Sequence, residues 1–271
     1  MRHLSLAALA AASVLACSQI AAAADLPVKA PPIVAALPSW TGFYVGANLG
    51  GAWWSEDASI FFPDGLRGLD PVGVNLRRGA AIGGIQQGFN WQFAPNWVWG
   101  LEADLSVTNA GASSTQSLTV GGAPVIFSSS TLGTKLDWLV SARNRLGFLI
   151  TPRLMLYGTG GIAGARIEYL GAVSINNPFG FVYSAASACT RTAVGWTAGA
   201  GLEWMLSDHW LLRGEYLFYD LSSAQSQNVN SPLIFNGLCI VGRCPAPAAT
   251  TSFAWTDMRI NEVRAALSYK F

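Results

Sequence analysis

The chain has 271 residues, 51% of them hydrophobic and 11% charged, against about 25% charged in an average soluble domain. That apolar content excludes a disordered chain, and glycine without a regular period excludes a collagen-like one. Sixteen basic against fifteen acidic side chains leave a net charge of +1, which offers no electrostatic footprint for nucleic acid.

Residues 1–24 read as a secretory signal peptide. Arg2 and His3 give a basic start, Leu4 to Ala16 is apolar, and Ala21 to Ala24 supplies small residues for cleavage before Ala24 or Asp25. Ser13, Ser18 and Gln19 argue against a membrane-spanning anchor, and the residues before Cys17 make an imperfect lipoprotein site. Residues 25–39 carry Pro27, Pro31, Pro32 and Pro38 and read as an extended periplasmic leader.

From residue 40 to 271 the recurring pattern is alternation of apolar and polar residues, the period of a strand with two unlike faces. No segment after the signal reaches the 18 consecutive apolar residues of a membrane helix. Strands are expected over Trp40 to Trp53, Gly79 to Phe93, Trp97 to Ser106, Lys135 to Phe148, Leu154 to Tyr169, Thr192 to Leu206, Trp210 to Phe218 and Val263 to Phe271. In the third, Trp97, Trp99, Leu101, Ala103 and Leu105 oppose Glu102, Asp104 and Ser106. In the fourth, Leu136, Trp138, Val140, Ala142, Leu146 and Phe148 oppose Lys135, Asp137, Ser141, Arg143 and Arg145, with Asn144 interrupting the apolar face.

Connection lengths alternate. Ala94-Pro95-Asn96, Thr151-Pro152-Arg153 and Ser207-Asp208-His209 are tight turns, whereas Trp54 to Arg78, Asn109 to Ser130, Leu170 to Arg191 and Leu221 to Thr256 are long. An even strand count with short–long alternation defines an all-β fold. The expected architecture is an eight-stranded antiparallel up-and-down transmembrane β-barrel with four long external loops and three short periplasmic turns. Closure follows from the medium, because hydrocarbon cannot satisfy the polar groups of a sheet edge. Aromatics near strand ends, among them Trp40, Trp53, Trp91, Phe93, Trp97, Trp99, Tyr157, Trp204, Trp210 and Tyr269, are then expected to form interfacial girdles.

Asp25-Leu26-Pro27, Trp40-Thr41-Gly42-Phe43-Tyr44-Val45-Gly46, Gly88-Phe89-Asn90-Trp91-Gln92 and the closing Leu267-Ser268-Tyr269-Lys270-Phe271 occur in this order. With these segments the chain resembles the small outer-membrane β-barrel proteins of Gram-negative bacteria, the porin-family or surface-antigen barrels. The resemblance implies a surface protein of the bacterial cell outer membrane that is not an enzyme. It also implies that Leu267, Tyr269 and Phe271 are the signal read by the barrel-assembly machinery.

An eight-stranded barrel has an interior that side chains can fill. The inward set is expected to include Glu102, Asp104, Lys135, Asp137, Arg143, Arg145, Arg166, Glu168, Glu203, Arg213, Glu215, Glu262 and Arg264, a nearly balanced network plugging the lumen. The alternatives are a small passive diffusion channel and a loop-mediated adhesin or ligand binder. Catalysis lacks a grouping: His209 is the only histidine after the signal and sits in a turn. Gly158-Thr159-Gly160-Gly161-Ile162-Ala163 fits a dinucleotide fingerprint only formally, since no acidic residue follows at the required distance. No cofactor and no metal are implied. Cys189, Cys239 and Cys244 fall in predicted external loops: a Cys239–Cys244 disulfide is the simplest pairing, and Cys189 with either partner is the alternative. The expected partners are outer-membrane lipid, the assembly machinery and an external ligand or host surface, with no nucleic acid.

Overall fold

A computed structural model describes residues 38–62, 72–120, 126–176, 181–231, 234–235, 238–239 and 249–271. The stretch expected as a signal peptide and nearly all of that expected as a leader lie outside these residues, as do Cys244 and the Cys239 side chain. Eight strands form a closed antiparallel ring: β1 (Gly42–Phe61), β2 (Val72–Ala94), β3 (Trp97–Val120), β4 (Ile126–Thr151), β5 (Leu154–Asn176), β6 (Phe181–Met205), β7 (Trp210–Ser222) and, after four short strands, β12 (Met258–Lys270), which pairs with both β7 and β1. The short strands are β8 (Gln225–Ser231), β9 (Ile234–Phe235), β10 (Leu238–Cys239) and β11 (Ala249–Trp255).

The stagger of the ring follows from its register. Ladder partners lead from Phe43 through Phe89, Leu101, Asn144, Gly160, Ala198, Phe218 and Asn261 back to β1 at Trp53, ten residues further on. Eight strands with that shear tilt by about 40°, so each residue climbs about 2.5 Å along the barrel axis. A lipid-facing band about 25 Å tall therefore uses about 10 residues of each strand. Strands β2 to β6 run 23 to 26 residues. Their outer halves stand well clear of the hydrocarbon.

Here the structure corrects the sequence reading. Most of the four stretches expected as loops are strand. β1 and β2 pair up to Ile60↔Val72, β3 and β4 to Val120↔Ile126, and β5 and β6 to Asn176↔Val182. The reason is a change of polarity. Near the periplasmic end the outward positions are apolar, as with Phe43, Leu101, Leu146, Leu202 and Leu267, and the inward ones are polar. Farther out the inward positions are apolar, with Ile60, Leu76, Leu132, Leu136, Ile167, Val173 and Ile175 all buried, and serines and threonines such as Ser113, Thr115 and Ser184 face water. Water, unlike lipid, rewards an apolar interior.

The outer half is also no longer a closed ring. Pairing of β2 with β3 ends at Gly83↔Val107. Beyond that level β2-β1-β11-β8 forms one sheet and β3-β4-β5-β6 with β9-β10 another. The two face each other across one apolar cluster, in which Tyr169 of β5 meets Trp255 of β11 at 5.2 Å between ring centroids. Gly171 has a spatial reason: a Cβ there would lie 2.6 Å from the ring of Phe253.

Candidate functional site

The interior of the lipid-embedded half is where charge meets a low-dielectric surround. β3 supplies Glu102 and Asp104, β4 Arg143 and Arg145, β6 Glu203, β7 Arg213 and Glu215, and β12 Glu262 and Arg264. None of these nine is more than 4% exposed. Glu102 sits at the centre, accepting from Arg143 Nη2 at 2.5 Å, Arg213 Nη1 at 2.5 Å, Arg145 Nη1 at 3.3 Å and the Tyr44 hydroxyl at 2.5 Å. Asp104 accepts from Arg143 at 3.0 Å, Arg264 at 3.0 Å and Ser141 at 2.5 Å. Glu215 accepts from Arg143 at 3.1 Å, Arg264 at 2.9 Å and Tyr157 at 3.0 Å. Glu203 holds Arg145 and Arg213, and Glu262 accepts from Tyr219 at 3.0 Å.

Each arginine is shared between carboxylates from different strands. Burying an ion costs several kcal/mol, and only a set that satisfies most donors and lone pairs repays it. Tyrosines complete the set. The Arg145 guanidinium lies 4.1 Å from the Tyr157 ring centre, and the Tyr44 hydroxyl takes a hydrogen bond from Arg145 while giving one to Glu102. Glycines make room for both rings, since a Cβ on Gly88 would collide with Tyr44 and one on Gly201 with Tyr157. An uncharged string lies beside the network: Asn48 donates to Gln86, Gln86 to Ser268, and Ser106 to Asn48.

Four residues expected in this network stand elsewhere. Lys135, Asp137, Arg166 and Glu168 lie on the outer face near the external end of the lipid band, half-buried or exposed. Lys135 and Arg166 both approach Asp137, at 3.1 and 3.7 Å. Two causes combine. A register shift between Leu136 and Trp138 reverses the facing of β4: Leu139 keeps the inward phase of Ser141, but beyond the shift Leu136 turns inward while Lys135 and Asp137 turn outward. On β5, Ala165, Ile167 and Tyr169 take the inward positions because the interior is already apolar at that level.

The layers on either side of the charges are apolar. Toward the periplasm, Trp40, Tyr44, Val98, Leu149, Met155, Tyr157, Met205 and Leu211 form a second cluster. Trp40 is fully buried there, its indole N–H donating to Pro152 O at 3.1 Å and its backbone N–H to Gln92 at 3.2 Å. Two aromatics expected in the interfacial girdle, Trp40 and Tyr157, are instead buried inside the barrel, and Tyr44 and Tyr219 are interior residues that the sequence reading missed. Strand parity alone could have placed Tyr44 and Tyr157, which are separated by even numbers of residues from inward glycines.

Outer-face residues carry the rest. Leu267, Tyr269 and Phe271 project outward at alternate positions, and Tyr269 packs on Trp210 at 5.4 Å. His209 stacks on Tyr269 at 5.5 Å in the last short turn. Cys189 carries a free thiol. The proposed Cys239–Cys244 pair lies outside the described residues.

An eight-stranded ring with an apolar outer band, aromatic ends and charges turned inward defines a transmembrane β-barrel of the outer-membrane type. The chain matches the Outer membrane protein beta-barrel domain family over residues 7–271 and belongs to it. It is 30% identical over 257 residues to the 31 kDa outer-membrane immunogenic protein of Brucella melitensis, covering 93% of both chains. To the 25 kDa outer-membrane immunogenic protein of Brucella canis it is 31% identical over 243 residues, covering 84% of this chain and 93% of the other. Among solved structures, the outer membrane protein OprG from Pseudomonas aeruginosa aligns with a TM-score of 0.41 at 13% identity, over 85% of this chain and 96% of the other. The protein is an outer-membrane β-barrel protein.

Proposed function

We propose that this barrel is a structural and surface component of the envelope whose interior does not conduct solute. One observation carries the reading: the Trp40 floor, the nine-residue charge layer and the outer apolar core succeed one another along the axis. A pore for ions would need a water-filled path, yet the arginines and carboxylates that could line one are locked to each other. No turnover is assigned to the protein, because its buried carboxylates and arginines are engaged in the network and away from either mouth.

The outer double sheet is then the displayed part, presenting polar strand faces to the exterior. The two Brucella relatives named immunogenic outer-membrane proteins support that display. Leu267, Tyr269 and Phe271 serve barrel insertion, an apolar alternate-residue stripe at the chain end that the assembly machinery can pair with. Planar-bilayer recording on the refolded protein tests the closed interior. Silence at moderate voltage is expected, and a steady, reproducible conductance would assign the small-channel reading instead.

A further inference from the structure

We propose that the outer face of β2, β1 and β12, at the external end of the lipid-facing band, binds the phosphate of a lipid headgroup in the outer leaflet through Arg77 and Arg259. The register places the site. Ser55 of β1 pairs with Arg77 of β2 on one side and with Arg259 of β12 on the other, so the three share one row of the sheet. All three are exposed. The next row toward the membrane is Gly79, Trp53 and Asn261, with Trp53 outward and 45% exposed. Trp53 marks the boundary between hydrocarbon and headgroups. Arg77 and Arg259 stand one row beyond it, about 5 Å farther along the axis from the tilt of the strands.

The row has a concave face. Trp53, Ser55, Arg77, Gly79 and Asn261 border a cleft of about 510 Å³. Gly79 leaves it open, for a Cβ there would find only one backbone atom within 4 Å. Charge is available in it and beside it: Arg77 and Arg78 line the cleft, and Arg259 flanks it in the row of Ser55. Among the described residues no ion pair joins Arg77 or Arg78 to a carboxylate, and Arg77 Nε donates to the neutral Asn75. Arg259 pairs with Asp220 through Nε, at 3.6 Å, and among the described residues its Nη groups join no other carboxylate. The other outward cations of this rim, Lys135 and Arg166, both lean on Asp137. An anion arriving at the rim therefore meets the guanidinium of Arg77 and the Nη groups of Arg259 on the β2–β1–β12 face, where planar N–H donors suit phosphate oxygens. A lipid is the occupant because the cleft opens directly above the apolar band, so acyl chains would lie along Trp53 while the phosphate meets the arginines.

The test uses the refolded full barrel in detergent micelles, titrated with bis-phosphorylated lipid A and followed by native mass spectrometry. Arg77→Gln/Arg259→Gln should weaken binding at least tenfold, while Lys135→Gln/Arg166→Gln at the same rim leaves it within twofold. Ser55→Asp, which sets a carboxylate between the two arginines, should reproduce the loss; heat-modifiable gel mobility verifies folding of each variant. Equal affinity for both double variants, or undiminished binding of dephosphorylated lipid A, would overturn the proposal. Displacement of the lipid by millimolar inorganic phosphate would overturn the lipid as occupant, leaving a plain phosphate site. None of these outcomes bears on conductance, so the closed-interior reading stands or falls separately.

Discussion

Replacing Glu102 by Gln isolates the centre of the charge layer. The substitution keeps the shape but removes a charge that faces Arg143 and Arg213 at 2.5 Å and Arg145 at 3.3 Å. It also turns an amide N–H₂ toward one of those guanidiniums. Removing one partner of a buried pair costs about 3–5 kcal/mol because the remaining charge is stranded. Asp104, Glu203 and Glu215 still face the same arginines, so the lower end, about 3 kcal/mol, is the expected loss. For a chain of this size that corresponds to a melting point lower by about 6–12 °C. Urea unfolding in detergent, read by tryptophan fluorescence and gel mobility, measures it at equilibrium. Adding Arg213→Gln to the same chain should recover part of the loss, since the stranded charge goes with it, and a double-mutant cycle should return a coupling above about 1 kcal/mol. A loss for Glu102→Gln below about 1 kcal/mol, with additive behaviour in the cycle, would refute the claim that these charges are held by one another rather than by water.

Three further outcomes follow from particular residues. Glu56 lies in the outer apolar core, accepting from Thr134 at 2.7 Å with its second oxygen unpartnered. Burial, reinforced by Asp257 and Asp57 and opposed by the Thr134 bond, pushes its carboxyl up to about 7. The folded state then holds the proton more tightly than the unfolded one. This contribution is full below the unfolded value near 4.5, falls as pH rises to 7, and costs about 3 kcal/mol above that. Glu56→Gln should therefore raise unfolding midpoints at pH 8 and leave those at pH 4 unchanged, as urea titrations at the two pH values would read. Gly161→Ala puts a Cβ against the backbone oxygen of Ala142, which has no flexible end to yield; a destabilisation of about 1–3 kcal/mol, seen as a lower heat-modification temperature, is expected. Deleting Phe271, an exposed terminal ring packed on Tyr269 at 5.3 Å, should cut outer-membrane yield in cells severalfold while in vitro refolding stays near wild type; equal loss in both assays would assign it a stability role only.

Period-two alternation is a local property, and it was enough to place eight strands, three tight turns and the inward facing of Glu102, Asp104, Arg143, Arg145, Glu203, Arg213, Glu215, Glu262 and Arg264. Any strand that separates lipid from a polar interior must alternate, so this much can be read along the chain. The same rule failed where its premise failed. Past Trp53 and Val107 the outward surroundings are no longer apolar, and polar-out, apolar-in strands such as Ser55 to Phe61 resembled loops because the reading asked for a lipid face.

What only the tertiary structure decided are matters of level and phase. The register shift at Leu136/Trp138 reverses one strand by a single residue and carries Lys135 and Asp137 to the outside, and no local pattern announces such a shift. Which arginine meets which carboxylate is equally remote from the sequence: Arg264 reaches Asp104 across 160 residues and Arg143 reaches Glu215 across 72. Those pairings exist because barrel closure, with its shear of ten residues, stacks distant strands at one height. Composition and alternation thus determined that the chain is a barrel with its charges turned inward, while closure and stagger determined which charges meet and where the bilayer ends.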